Sequence, residues 1–127
     1  MKTPLLLATA AALLSACATT DRVAMVEDGF ERGSLGVAAI SRGDWHAAEE
    51  AIAASRMDEG DPARLINLGT IYMETNRPGM ALSAWRLALA SPSHSMVATA
   101  DGRWVSTRDL AERALAKHEG AVRSATR

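Results

Sequence analysis

Small and large apolar residues fall at fixed offsets within the segment 65–88. These positions are Leu65, Leu68, Gly69, Tyr72, Ala81, Trp85 and Ala88. A weaker copy of the pattern lies about 33 residues upstream, at Leu35, Gly36, Ala39, Ala48, Ile52 and Ser55. A repeat of this length is typical of stacked helical hairpins, because a single hairpin cannot bury its apolar face without a neighbour. The sequence therefore predicts an all-α fold built on two antiparallel helical hairpins over residues 29–93, a short solenoid.

Helix signals set the bounds of these hairpins. The apolar periodicity predicts helices over 30–41 and 46–55 in the first hairpin, and over 62–75 and 78–90 in the second. Before the third helix, an aspartate is followed by a proline, which is a favourable pair for an N-cap and a first helical position. Gly36 lies inside the first predicted helix, where we expect another helix to approach its Cα closely.

The C-terminal region, 94–127, has a different pattern. The Asp-Gly pair at 101–102 is a strong turn signal between residues that suit short strands, so a small β-hairpin is predicted over 96–106. A final helix is predicted over 107–118, and Gly120 is expected to end it.

Two repeats rarely bury enough surface to be stable alone. We therefore expect the β-hairpin and the final helix to cap the open end of the second helical hairpin, with Trp104 lying over Trp85 or its neighbours. Self-association through the uncovered first helix is the competing solution.

The segment 65–88 resembles a tetratricopeptide repeat (TPR). The seven positions given for it above coincide with the signature positions of that family, and Pro92 comes one residue before the family's proline. The upstream copy is weaker, because it departs from the pattern at Arg32, Ala39, Ile52 and Ser55. An alanine-rich helical bundle is the alternative interpretation.

The resemblance also implies a binding groove. In TPR proteins the first helix of each repeat lines a concave surface that holds a peptide or a partner helix. The corresponding positions here are Val37, Ile40, Ser41, Ile66, Thr70, Met73 and Glu74. Ile66 and Met73 are expected to lie outside the core and to form an apolar peptide site. The alternative is that they contact the terminal elements.

The N-terminal residues have the pattern of an export signal. Lys2 precedes an apolar run over 5–14, which has the length of a signal-peptide core and is too short to span a bilayer. The residues 14–17, Leu-Ser-Ala-Cys, resemble the lipobox of bacterial lipoproteins, in which the cysteine is acylated after the signal peptide, here 1–16, is removed. The alternative is an ordinary exported protein with an unrelated cysteine.

Cys17 is the only cysteine of the chain, so no intramolecular disulfide can form. The lipobox resemblance implies that acylated Cys17 anchors the protein in a membrane. By resemblance to the lipoproteins of Gram-negative bacteria, Ala18 after the cysteine implies the outer membrane, at its periplasmic face, rather than the inner membrane. Residues 17–28 are then a tether.

Residues that could carry chemistry are scattered along the chain. The 14 basic and 15 acidic side chains are mixed and form no basic stripe, so nucleic acid is not an expected partner. His46, His94 and His118 have no companions at a persuasive metal-ligand spacing. The adjacent carboxylates Glu49 and Glu50 are interpreted as part of a solvated face. We therefore predict no catalytic residue, no metal site and no cofactor.

The combined features predict a lipid-anchored periplasmic adaptor that binds an unidentified protein or peptide. By resemblance, such small lipoproteins serve envelope assembly, secretion or pilus machinery. A self-associating structural lipoprotein is one alternative, and a non-catalytic regulatory subunit of an envelope enzyme is another. An enzyme in its own right is not expected.

Overall fold

The computed structural model describes residues 30–99 and 101–125. The predicted signal peptide, Cys17 and the tether lie outside these ranges. Within them the chain is mostly helical, with five helices and one two-stranded antiparallel sheet. In chain order the elements are α1 (Val37–Arg42), α2 (Trp45–Ala54), α3 (Pro62–Glu74), α4 (Pro78–Ala90), β1 (Met96–Ala98), β2 (Trp104–Ser106) and α5 (Thr107–Ala125).

The prediction for the first helix is wrong at its N-terminal end. α1 begins at Val37, and residues 32–35 form turns. Gly33 and Gly36 have φ angles of 86° and 64°, a left-handed conformation that cannot continue a right-handed helix. The predicted close approach at Gly36 is confirmed, because a Cβ there would lie 2.8 Å from the carbonyl oxygen of Ala48 in α2.

α3 and α4 form a helical hairpin whose bounds agree closely with the prediction. The Asp61 carboxylate accepts hydrogen bonds from the backbone N–H groups of Ala63, at 2.8 Å, and Arg64, at 3.1 Å, so it satisfies two donors that have no partner within the helix. In the connection after α3, Asn76 has a positive φ of 59°. The backbone N–H of Arg77 then bonds the Tyr72 carbonyl oxygen at 2.7 Å.

The β-hairpin is confirmed, and it pairs Met96 with Ser106, Val97 with Val105 and Ala98 with Trp104. Gly102 takes a φ of 79° in the turn. α5 starts directly after β2 and continues to Ala125, so the prediction that Gly120 ends the helix is wrong. Gly120 lies within regular helix, where glycine is tolerated at a cost of about 1 kcal/mol relative to alanine.

Two apolar clusters hold the elements together. The smaller joins α1 and α2 to one face of α3 through Ala39, Ile40, Ala48, Ile52 and Ile71. The larger joins the opposite part of α3 to α4, the β-hairpin and α5; its buried members include Ile66, Trp85, Val97, Val105 and Leu110. α3 is therefore the central helix, and the expected packing of the β-hairpin and α5 on the second helical hairpin is confirmed.

Candidate functional site

The predicted groove positions do not form an open groove. Ile40 and Ile66 are completely buried, and Val37 and Met73 are partly buried against the larger cluster. The others are Ser41, Thr70 and Glu74, of which Ser41 and Glu74 are exposed and Thr70 is half-buried.

The hydroxyl groups among these positions already have partners. Ser41 Oγ donates to the Val37 carbonyl oxygen at 2.9 Å, and Thr70 Oγ1 donates to that of Ile66 at 3.1 Å. These are bonds back to the preceding helical turn, so the two donors are not directed at a ligand.

The prediction that Ile66 lies outside the core is wrong, because its side chain is completely buried. Met73 is partly buried and packs against the same cluster. The face of α3 that carries Ile66 shares one cluster with side chains of the β-hairpin and α5, including Val97, Val105 and Leu110. Burial of these apolar groups against α5 removes them from water, and any partner at this face would have to displace α5.

Trp85 is the centre of the α3–α4 contact. Its indole Nε1 donates to the Ile66 carbonyl oxygen at 3.1 Å, and its ring fills the space that a side chain at Gly69 would occupy. His118 of α5 stacks on the indole at 5.2 Å between ring centroids. The ring that stacks on Trp85 is therefore that of His118 and not that of Trp104, which is 59% exposed.

The environment of His118 favours its neutral form. Burial lowers the pKa of the imidazole, and the nearby charge of Lys117 lowers it further, while Glu74 opposes both effects. Beside this stack, Arg86 of α4 bonds the Glu119 carboxylate of α5 at 2.8 Å. These contacts fix α5 against the second helical hairpin.

The interpretation of Glu49 as part of a solvated face is wrong, because its side chain is half-buried and paired with Arg77. The Arg77 guanidinium makes a two-point bond with the Glu49 carboxylate, at 3.0 and 2.6 Å, and lies 4.6 Å from the centroid of the Tyr72 ring. The hydrogen bond from Arg77 lowers the pKa of Glu49. This ion pair connects α2 to the α3–α4 turn, so the role of Glu49 is structural.

One surface of α4 carries apolar side chains that no other described element covers. Met80 is 48% exposed and Leu87 is 59% exposed. They lie seven residues apart, which places them on one side of the helix with Ser83 and Ala90 beside them. We call Met80, Ser83, Leu87 and Ala90 the α4 outer face.

The composition of α4 explains why this face is unusual. Its thirteen residues include a single charged side chain, Arg86, which is paired with Glu119. A helix that is apolar all round is normally buried on all sides. The near absence of charge in α4 is a sequence signal for this face, whereas the TPR resemblance implies binding on the first helix of each hairpin.

The β-hairpin carries a second exposed apolar surface. Met96 is 56% exposed and Trp104 is 59% exposed. Both point to the side of the sheet opposite the buried Val97 and Val105, because successive side chains of a strand alternate between faces. We call Met96 and Trp104 the hairpin outer face.

The described histidines have structural surroundings. His94 Nδ1 lies 3.1 Å from the hydroxyl oxygen of Thr107, the first residue of α5. The same oxygen accepts a hydrogen bond from the backbone N–H of Ser95. Exposed His46 lies 3.4 Å from the Glu50 carboxylate. In the described ranges no group of three or more His, Cys, Asp or Glu side chains could hold a metal ion.

No helix of the described part is long and apolar enough to cross a bilayer. The chain matches no family model, and no curated protein or solved structure matches it.

Proposed function

We propose that this protein is a non-catalytic, TPR-type scaffold that is anchored by acylated Cys17 at the periplasmic face of the outer membrane and binds a protein partner there. The TPR assignment is supported by the α3–α4 hairpin, where Gly69 and buried Ala81 permit close helix packing around Trp85. The non-catalytic role is supported by the structural contacts of His118 and Glu49 described above.

The α4 outer face carries this proposal. Two large apolar side chains are left in water on a helix whose opposite side is buried through Leu82, Trp85 and Ala88, and exposed apolar groups of this kind mark interaction surfaces. Methionine is enriched at interfaces, and its flexible chain adapts to a partner. The binding surface therefore lies on the second helix of the hairpin, not on the concave positions of α1 and α3.

The spacing of Met80 and Leu87 indicates the chemistry of the partner. Met80 and Leu87 are seven residues apart, so they are separated by about 10 Å along the helix axis. An amphipathic helix with aliphatic side chains at positions i, i+3 or i+4, and i+7 presents a matching row. Ser83 lies between Met80 and Leu87, and its small side chain permits close approach of such a helix.

Photocrosslinking in intact cells tests the surface. A benzoylphenylalanine at Ser83 lies in the centre of the α4 outer face, while the same probe at exposed Arg113 of α5 is the control. We expect one discrete heterologous adduct from position 83 and none from 113, with the crosslinked peptide of the partner being an amphipathic helix. No adduct from position 83, or equal adducts from both positions, would contradict the proposal.

Self-association is the second candidate, and the same face favours it. An apolar surface that packs against its own copy about a two-fold axis is the commonest arrangement of homodimers. An adduct from position 83 with twice the mass of the chain would identify this case.

The anchor is tested separately by replacing Cys17 with serine and fractionating the cells. We expect the variant to leave the membrane fraction, because the acyl chains provide the membrane affinity. An unchanged distribution would contradict the lipid anchor at Cys17 but would not affect the proposed binding at the α4 outer face.

A further inference from the structure

The hairpin outer face results from the register of two strands. Thr99 N–H bonds the Arg103 carbonyl oxygen at 2.8 Å, and Thr107 N–H bonds that of Ser95 at 2.9 Å. Because hydrogen-bonded and non-bonded pairs alternate in an antiparallel ladder, Ala98 and Trp104 form a non-bonded pair, in which opposite side chains approach most closely. Trp104 therefore stands beside a small residue.

Met96 is the diagonal neighbour of Trp104 on the same side of the sheet, at a separation that long and aromatic side chains can bridge. A tryptophan and a methionine thus form one exposed apolar patch. The opposite side of the sheet is fixed in the core by Val97 and Val105, which are 1% and 7% exposed. The patch is held in place by a packed structure.

The charges next to this patch neutralise each other. Arg103 Nε donates to the Asp101 carboxylate at 2.6 Å, and the Thr99 hydroxyl donates to the other oxygen of that carboxylate. The turn that projects beside Trp104 therefore carries no net charge. A surface of this kind suits an occupant recognised by apolar and aromatic contact rather than by electrostatic attraction.

The tether limits how far the domain can move from a membrane. Phe30, where the described structure begins, lies thirteen positions after Cys17. A fully extended chain of this length spans at most about 45 Å. If Cys17 is acylated, as proposed above, every surface of the domain stays within reach of the lipid headgroups, and even weak contact is favoured by the high effective concentration.

We propose that the hairpin outer face docks on the lipid surface, with the Trp104 ring at the level of the headgroups and Met96 beside it. Tryptophan prefers this region of a bilayer because its ring is largely apolar while its N–H remains able to bond water or lipid. This inference rests on the proposed anchor at Cys17. In this arrangement the β-hairpin contacts the membrane, and the α4 outer face remains accessible to the protein partner.

The test uses the full protein purified from membranes and reconstituted into phosphatidylcholine vesicles whose chains are brominated near the headgroup. Bromine quenches tryptophan emission on contact. We expect lower emission than in unbrominated vesicles, and loss of this difference in Trp104→Phe, which assigns the signal among the three tryptophans. Met96→Ser should reduce the quenching while retaining the fluorophore. Ala116→Ser is the control, because it makes an exposed residue of α5 polar outside both named faces, and its quenching should equal that of the wild type.

The mass of the Cys17 peptide separates the two proposals. Equal emission in both vesicles with an acylated Cys17 would overturn the docking of the hairpin and leave the anchor standing. Quenching of Trp104 with an unmodified Cys17 would support the docking and overturn the anchor, while neither quenching nor acylation would overturn both. A photoreactive residue at position 104 that forms an adduct with a protein, or with a second copy, instead of with lipid would also overturn the docking.

Discussion

The indole of Trp85 occupies the space next to Gly69, and a Cβ at that glycine would overlap the ring. The same indole donates to the Ile66 carbonyl oxygen one turn earlier in α3. The glycine and the tryptophan therefore act together: the first provides room, and the second fills it and joins the two helices by a hydrogen bond.

Gly69→Ala should destabilise the protein by about 1–3 kcal/mol, because the added methyl group forces Trp85 away from its packed position. For a domain of this size, about 4–8 °C of melting temperature corresponds to each kcal/mol. The control is Gly120→Ala, a helical position with no atom within 4 Å of an added Cβ. It should stabilise α5 by up to about 1 kcal/mol. Equal changes in melting temperature for the two variants would show that the contact between Gly69 and Trp85 does not cause the loss of stability.

Ile66→Ala should cost about 2–5 kcal/mol, because the side chain is completely buried in the larger apolar cluster. Leu87→Ala removes a similar volume from an exposed position and should change stability by less than about 0.5 kcal/mol. Denaturant unfolding of the two variants compares them directly. If Ile66→Ala had the same free energy of unfolding as the wild type, the Ile66 side chain would not be packed in the core.

Acid should weaken the fold through His118. Burial lowers the pKa of this group below its usual 6.5, so the unfolded chain binds a proton more readily than the folded chain does. Stability should be constant above about pH 6.5 with respect to this group and should fall as the pH drops from there to the folded-state pKa.

His118→Phe keeps a ring on Trp85 and removes the titration. Its melting temperature should therefore depend less on pH between 8 and 5 than that of the wild type, as measured by circular dichroism. Parallel pH profiles for the two proteins would show that His118 does not produce the effect.

A second acid-sensitive contact should act at lower pH. The hydrogen bond from Arg77 lowers the pKa of Glu49 below its usual 4.5, so the carboxylate stabilises the folded state above that value. This contribution should be lost as the pH falls through the folded-state pKa. Glu49→Gln should flatten the stability profile below about pH 4.5, and a double-mutant cycle with Arg77→Ala should give a coupling energy at pH 7 that disappears in acid. A coupling that is equal at both pH values would exclude the ionised pair as its source.

Much of the helical architecture was predictable from local signals. α4 has the predicted bounds, since a proline at its start and a Ser-Pro-Ser sequence after its end are clear boundaries. The predicted helix bounds failed at Gly36 and Gly120, where the same residue type has opposite roles. Gly36 adopts a left-handed conformation, while Gly120 remains in regular helix. The local sequence does not show which conformation a glycine takes.

The proposed binding surface was less predictable for a physical reason. The periodicity shows that Ile66 and Leu87 are apolar, but burial depends on which distant element packs over each one. Ile66 is completely buried in a cluster that includes side chains of α5 and the β-hairpin, while Leu87 is 59% exposed. Such long-range contacts are set by the path of the chain after α4, which a repeat pattern covering only the earlier residues does not contain.

The most direct test of the central claim combines Leu87→Lys with the photoreactive probe at Ser83 and with thermal melting of the same variant. If the α4 outer face binds a partner, the charge should abolish the heterologous adduct, because an ammonium group cannot be buried in an apolar contact without a large desolvation cost. The melting temperature should remain that of the parent protein, since Leu87 is exposed. A persistent adduct would contradict a binding role for this face. A collapsed melting transition would contradict its assignment as a free surface.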